Sequence, residues 1–308
     1  MAHDPPGHPE TAGAPRGVAA EEVIVMRAPF TRSVVLGCAV ALGVLTAPAA
    51  SWSQPPDEER ASREIRALNW QRGPTEGKIG ATATIKVAEG QAFLDAPNTR
   101  RFLELNGNPG RDNHYTLLSQ EWFAVFFFKD TGYVKDDEKL DAAALLKSLQ
   151  ESDTPANEER KRLNMPPLYT DGWQVPPHYD VNTRRLEWGV RLRQDDGRST
   201  INYTIRLLGR RGVMHATLVA TAAAIDRDIA DFKTALTGYD FVPGERYAEF
   251  RSGDRVAEYG LAALVLGGAA VVATKSGFGK ALGKFLVVGV VAAGGAIMAF
   301  ARKLFRRG

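Results

Sequence analysis

His178 stands in the stretch MPPLYTDGWQVPPHYD, two residues before Asp180 and close to Trp173 and Tyr179. An imidazole titrates near neutrality, and a neighbouring carboxylate can orient it, so this pair has the makings of a general base. The same stretch is dense in proline and aromatics. It therefore also reads as a packed loop in which Trp173 and Tyr179 contact a ligand or simply brace the following strands. His114 follows Gly110-Arg111-Asp112-Asn113 and reads as an idle loop residue, whereas His215 lies inside a strand pattern and reads as a satisfied sheet residue. No histidine pair in 54–308 has i,i+4 spacing, which removes a helical zinc-protease site.

Two further clusters can do chemistry. Asp136-Asp137-Glu138 offers oxygen ligands of the kind calcium takes. It lacks the spacing and turn glycine of an EF-hand, and Lys135 and Lys139 balance it, so a solvated turn before a helix is the competing reading. Arg210 and Arg211, in Gly209-Arg210-Arg211-Gly212, can clamp a carboxylate or phosphate bidentately, touch lipid headgroups or a partner, or face only water. GxSxG, SxxK, P-loop and GxGxxG patterns are absent from the sequence, and no cofactor is expected. The one cysteine, Cys38, sits in an apolar leader stretch. A mature chain without it excludes disulfides, thiolate catalysis and thiolate-bound zinc.

The elements that must position these residues follow from periodicity. Ala61, Ile65 and Leu68 in Pro56–Asn69 mark an amphipathic helix packed by Trp70. Lys78–Val87 alternates as one half-buried strand. Asp95 caps a short helix with Pro97 in its first turn, ended by Asn106-Gly107. Glu121–Phe128 is apolar on both alternations, which demands a central strand covered on both faces. Tyr133-Val134 extends the sheet, Asp141 caps one helix, and Thr154-Pro155 begins another.

After the Met165–Asp180 loop comes a three-strand meander. Taking Asp196-Gly197 as a two-residue turn sets Trp188 opposite Ile205, Val190 opposite Tyr203 and Glu187 opposite Arg206. Ile225, Ile229, Phe232 and Leu236 stripe a helix closed by Gly238, and Tyr239–Val242 is a last short strand. This order of strands, helices, meander and closing helix predicts an α+β fold, a mainly antiparallel sheet with packed helices, as one domain over 54–254.

The two ends of the chain differ from this domain. Residues 1–25 are rich in Pro, Gly and Ala without an apolar period and read as disordered or as an over-extended start. Residues 26–53 have the form of a signal peptide: a basic MRAPFTR, an apolar Ser33–Leu45 and small residues at Ala47–Ala50. Residues 255–308 read as a membrane anchor. Sixteen uncharged residues begin at Tyr259 and seventeen begin at Phe285, each about 25 Å long as a helix. Gly267, Gly268, Gly294 and Gly295 would let such helices pack closely, within one chain or between chains.

Charge supports the division. Residues 54–254 hold 28 Lys and Arg against 31 Asp and Glu, and residues 255–308 hold 8 against 1. The basic balance therefore belongs to the tail, where Lys284, Arg302, Lys303, Arg306 and Arg307 suit anionic headgroups. The near-neutral domain lacks a nucleic-acid footprint. A two-span hairpin, slightly preferred, places the link lysines inside and the terminal basic cluster outside. A single span through Phe285–Ala301 places that cluster inside.

Several strings together resemble the bacterial family of predicted membrane-anchored proteins called domain of unknown function 2167. They include Gly132-Tyr133-Val134-Lys135-Asp136-Asp137, Pro177-His178-Tyr179, Leu186-Glu187-Trp188, Leu208-Gly209-Arg210-Arg211-Gly212, Pro243-Gly244-Glu245-Arg246-Tyr247 and Ala257-Glu258-Tyr259-Gly260. The resemblance runs from about Ile79 to the C-terminus. It implies an exported domain with a C-terminal anchor and brings no activity or catalytic residue. The element order is also similar to the Mog1/PsbP-like sandwich, a likeness of fold that carries no function.

Two expectations follow. One is a non-enzymatic binding module at the bacterial inner membrane, its domain in the periplasm, its tail in lipid, and its partner an envelope protein or ligand. The other is an envelope enzyme built on His178 and Asp180.

Overall fold

The computed structural model describes residues 56–267, except 107, 109, 163–165, 198 and 221. The signal stretch, Gly268, Phe285, Gly294, Gly295 and the basic positions Lys284, Arg302, Lys303, Arg306 and Arg307 lie outside the described residues.

In chain order the elements are α1 (Pro56–Ala67), β1 (Gln71–Arg72), β2 (Thr75–Ile79), β3 (Ala83–Val87), β4 (Ala92–Leu94), α2 (Ala96–Leu105), β5 (Tyr115–Leu118), β6 (Phe123–Lys129) and α3 (Ala142–Arg162). They continue with β7 (Tyr169–Asp180), β8 (Arg185–Arg193), β9 (Ser199–Leu208), β10 (Val213–Val219), α4 (Ile225–Ala235), β11 (Tyr239–Phe241) and α5 (Leu261–Val265). An eight-stranded antiparallel sheet runs β1-β4-β5-β6-β10-β9-β8-β7, and a three-stranded sheet runs β11-β3-β2. The chain is thus α+β with a large antiparallel sheet and several helices.

β6 shows why the large sheet needs cover on both faces. It lies between β5 and β10, and its side chains divide between two cores. Trp122, Ala124 and Phe126 join Ile79, Ile85, Ile225 and Phe232, so the small sheet and α4 cover that face. Phe123 and Val125 join Ile65, Phe102 and Leu103, so α1 and α2 cover the other. Further along that second face, Leu145, Leu149 and Leu264 pack on Leu186, Trp188 and Val190. Burial on both faces is what a doubly apolar strand requires, since one exposed row would cost about 2 kcal/mol per large side chain.

The hairpin of β8 and β9 departs from the expected register. Trp188 faces Thr204, Val190 faces Asn202 and Glu187 faces Ile205, one residue away from the sequence reading. The cause is the turn. Gly197 donates its N–H to Gln194 O (3.1 Å), so Asp195 and Asp196 occupy the corners and Gly197, at φ +80°, follows as the left-handed residue. That turn is one residue longer than a two-residue Asp-Gly turn. As a result the apolar rows of the two strands face opposite sides. Leu186, Trp188 and Val190 lie towards α3, and Tyr203, Ile205 and Leu207 lie towards α4.

Three other expectations are corrected. Lys78–Val87 is a hairpin, not one strand, because its alternation continues through the turn at Gly80 (φ +59°). Thr154-Pro155 does not start a helix; Pro155 lies inside the 21-residue α3, forgoing one backbone bond. The proline-rich stretch before Asp180 is the edge strand β7, which tolerates Pro176 and Pro177 through register shifts against β8. Asp95 does cap α2, accepting from Asn98 N at 3.1 Å, and Asp141 accepts from Ala143 N and Ala144 N at 3.0 Å.

The start of the expected anchor is part of this body. Leu261, Leu264 and Val265 are buried in the α3-side core, and Tyr259 packs against it. Among the described residues no helix is long and apolar enough to cross a membrane.

Candidate functional site

The stretch around His178 is taken apart by the fold. Trp173 donates its indole N–H to Ala142 O (2.9 Å), fastening β7 to the start of α3. Tyr179 donates to Asp136 Oδ2 (2.8 Å), and burial, then that carboxylate, raises the phenol's pKa. Asp180 accepts from Asn182 N (2.9 Å) and Thr183 Oγ1 (2.7 Å), which closes its own turn and holds its carboxyl below the usual range. His178 is left exposed on the edge strand opposite Glu187. The Asp180 carboxylate that was to orient it is committed to a turn.

Asp136 is likewise a structural acceptor. Burial pushes its carboxyl up, but Tyr179, Tyr247 and Arg184 outweigh that and hold it low. Arg184 also lies over the Tyr247 ring, which stacks on Tyr133 at 4.4 Å. Asp137 is exposed beside it. Among the described residues no three His, Cys, Asp or Glu side chains converge as a metal-ligand set.

Arg210 is turned inward and Arg211 stays exposed, and both pair with the segment that leads to the tail. Arg210 grips Asp254 with Nε and Nη2, both at 2.7 Å, and the two side chains are only 16% and 15% exposed. Arg210 foremost, with Arg251 N–H, draws the Asp254 pKa down to about 2. Arg211 pairs with Glu245. Beside them Tyr133 N donates to Arg255 O (2.8 Å) and Ala257 N to Tyr133 O (2.9 Å). These bonds form a latch holding residues 244–257 on the sheet. A hollow of about 350 Å³ lies at this latch, lined by Asp130, Gly132, Arg211, Asp254 and Arg255.

A larger cleft, about 730 Å³, opens elsewhere, between α4, the β3–β4 turn and the residues leading into β6. That volume is within the range of small-ligand sites. Its wall is built by α4, whose buried stripe contains Ile225, Asp228, Ile229 and Phe232. Asp228 is 1% exposed. Arg227 donates to its Oδ1 from Nε (3.0 Å) and Nη2 (2.8 Å), and Oδ2 has no hydrogen-bond partner. Burial raises the Asp228 pKa, with Arg227 opposing and Glu121 and Asp231 adding to the rise. Asp231 is fixed by Trp122, whose indole N–H reaches Oδ2 at 2.6 Å. Arg227 Nη2 stands 3.6 Å from Glu121 Oε2.

The other rim is set by a tight turn, in which Gln91 N donates to Ala88 O (3.0 Å) and Ala88 N to Gln91 Oε1 (3.1 Å). At the far end Gly238 touches Lys86, where an added Cβ would come within 2.8 Å. Sequence reasoning passed over this cleft. Its signal was Asp228 standing three residues after Ile225 and four before Phe232, a carboxylate inside the helix's apolar stripe.

Fold and site together define an α+β domain whose large sheet is sandwiched between helices and a small sheet, with an acidic cleft on the small-sheet side. A family model, protein of unknown function (DUF2167), matches residues 71–298, and the chain belongs to that family. No curated protein matches it. Among solved structures it is similar to the solution structure of cyanobacterial PsbP (CyanoP) from Synechocystis sp. PCC 6803, at 10% identity and a TM-score of 0.31. That match covers 55% of this chain and 99% of the other. At such a score the likeness carries no argument about this chain.

Proposed function

We propose that this protein is a non-enzymatic binding module, exported to the periplasm, tethered to the inner membrane by its apolar tail, and binding an envelope component through the cleft beside α4. The observation that carries this reading is how the chemically capable residues are used. Tyr179, Asp180, Arg210 and Arg211 are engaged in bonds that hold the fold, while the cleft presents acceptors and a fixed wall. Two observations favour this over the enzyme reading around His178 and Asp180: Asp180 accepts within its own turn, and His178 is not among the residues lining the two clefts described above.

The burial of α5 supports a single span through Phe285–Ala301, with the intervening residues as a link, over the hairpin. Lipid is then the partner of the tail, and Gly294 and Gly295 offer a packing face for a second copy.

Site-specific photo-crosslinking in intact cells tests the module. A probe replacing Thr234, on the cleft rim, is expected to capture one discrete envelope component. Probes at 178 and 211 serve as controls on the edge strand and the latch. If the protein is folded and accessible from outside yet Thr234 captures nothing, the binding reading is overturned.

A further inference from the structure

Asp228 is a carboxylate that has left water without being fully satisfied. Its Oδ1 accepts twice from Arg227, its Oδ2 accepts nothing, and its side chain is 1% exposed. An unpaired buried acceptor is costly unless something supplies a donor. The charges around it say what kind of donor. The cleft lining includes Glu89, Glu121, Asp228 and Asp231 against Lys86 and Arg227, so carboxylates outnumber cations. A neutral ligand would leave that imbalance in place, and an anion would worsen it.

The residue covering Asp228 also points to a cation. Arg227 is 62% exposed and lies across Asp228 with Glu121 beside it. It is a cation of the protein's own placed where a ligand cation would sit, on a long side chain that is more than half exposed. The metal alternative fails on geometry, because the described carboxylates do not converge as a ligand set. The volume, about 730 Å³, suits an organic group rather than an ion.

Building on the binding-module reading, we propose that the cleft holds the ammonium group of an amine-bearing ligand, with Asp228 as the inner acceptor and Glu121 and Asp231 as the outer ones. Arg227 swings outward as the ammonium enters, and the incoming N–H groups reach Oδ2. Trp122 fixes Asp231, so that carboxylate is already in position before the ligand arrives.

The test uses the full chain purified in detergent and titrated with 1,6-diaminohexane, with 1,6-hexanediol as its uncharged counterpart. Calorimetry is expected to show saturable binding of the diamine and none of the diol. Asp228→Asn should weaken diamine binding at least tenfold. Arg227→Gln, which removes the internal competitor, should strengthen it several-fold. Equal binding of diamine and diol, or full binding by folded Asp228→Asn, overturns the proposal, as does an Arg227→Gln affinity that falls in step with Asp228→Asn. A discrete adduct at Thr234 in cells together with absent diamine binding would remove the ammonium assignment and leave the module standing. Blank results in both would remove both.

Discussion

Asp228 combines a structural cost with a binding role, and the two can be separated. Burial raises its carboxyl pKa, with Arg227 opposing, so burial works against the charged form. A raised carboxyl contributes most at low pH, and that contribution is lost as pH rises through its folded value. Asp228→Asn, neutral at every pH, should therefore lie closer to the parent in acid and gain on it as pH rises to 8. Urea unfolding at the two pH values measures this directly. At this scale the sequence was a partial guide. It singled out Tyr179, Arg210 and Asp136 as polar groups worth attention, and each is engaged in bonds between segments of the fold. What spacing alone does not show is which residue 44 positions away answers an arginine, as Asp254 answers Arg210.

At the scale of elements, the latch between the β9–β10 hairpin and residues 244–257 makes two predictions. Asp254 is depressed to about 2, chiefly by Arg210, so its contribution is present above the ordinary carboxylate value and lost as pH falls from about 4 through about 2. Protection of the Arg210 and Ala257 amides against exchange, taken relative to the unfolded chain at the same pH, should fall across that window in the parent, and Arg210→Ala should already have lost it at pH 5. Gly132 sits at φ +89°, and an added Cβ would fall 2.8 Å from Arg255 O. Gly132→Ala is expected to cost about 1–3 kcal/mol and to open the contact between Tyr133 and Val256. Thermal unfolding with exchange at Tyr133 checks it.

Elements whose cause is local were legible: the capped α2, the doubly apolar β6 and the stripe of α4. Those decided by a turn or an edge were not. Asp195-Asp196-Gly197 and Asp196-Gly197 differ by one residue in turn length, which alone reverses the facing of a strand. β7 hid its strand character behind two prolines that only an edge position accommodates.

For the whole molecule, the proposed tether makes a prediction of its own. With a single span, a cysteine at Gly308 in a Cys38→Ser background should stay unlabelled in intact spheroplasts and react once they are permeabilised. Labelling from outside would restore the hairpin. The α+β architecture itself was readable from the order of elements, because strands joined by short turns leave few antiparallel arrangements. The extent of the body was not. The apolar residues of α5 have the same composition whether they end in lipid or in a core, and only the surface presented by α3 and β8 distinguishes the two.

That placement of α5 has a mechanical consequence. Any tension entering from residue 267 meets the fold in a fixed sequence. It must first draw Leu261 and Leu264 out of the core, then part Ala257 and Arg255 from Tyr133, and only then load the grip of Arg210 on Asp254. The attachment is a series of fasteners ahead of the sheet, so a pull on the tail would be absorbed stepwise before it reached the strands.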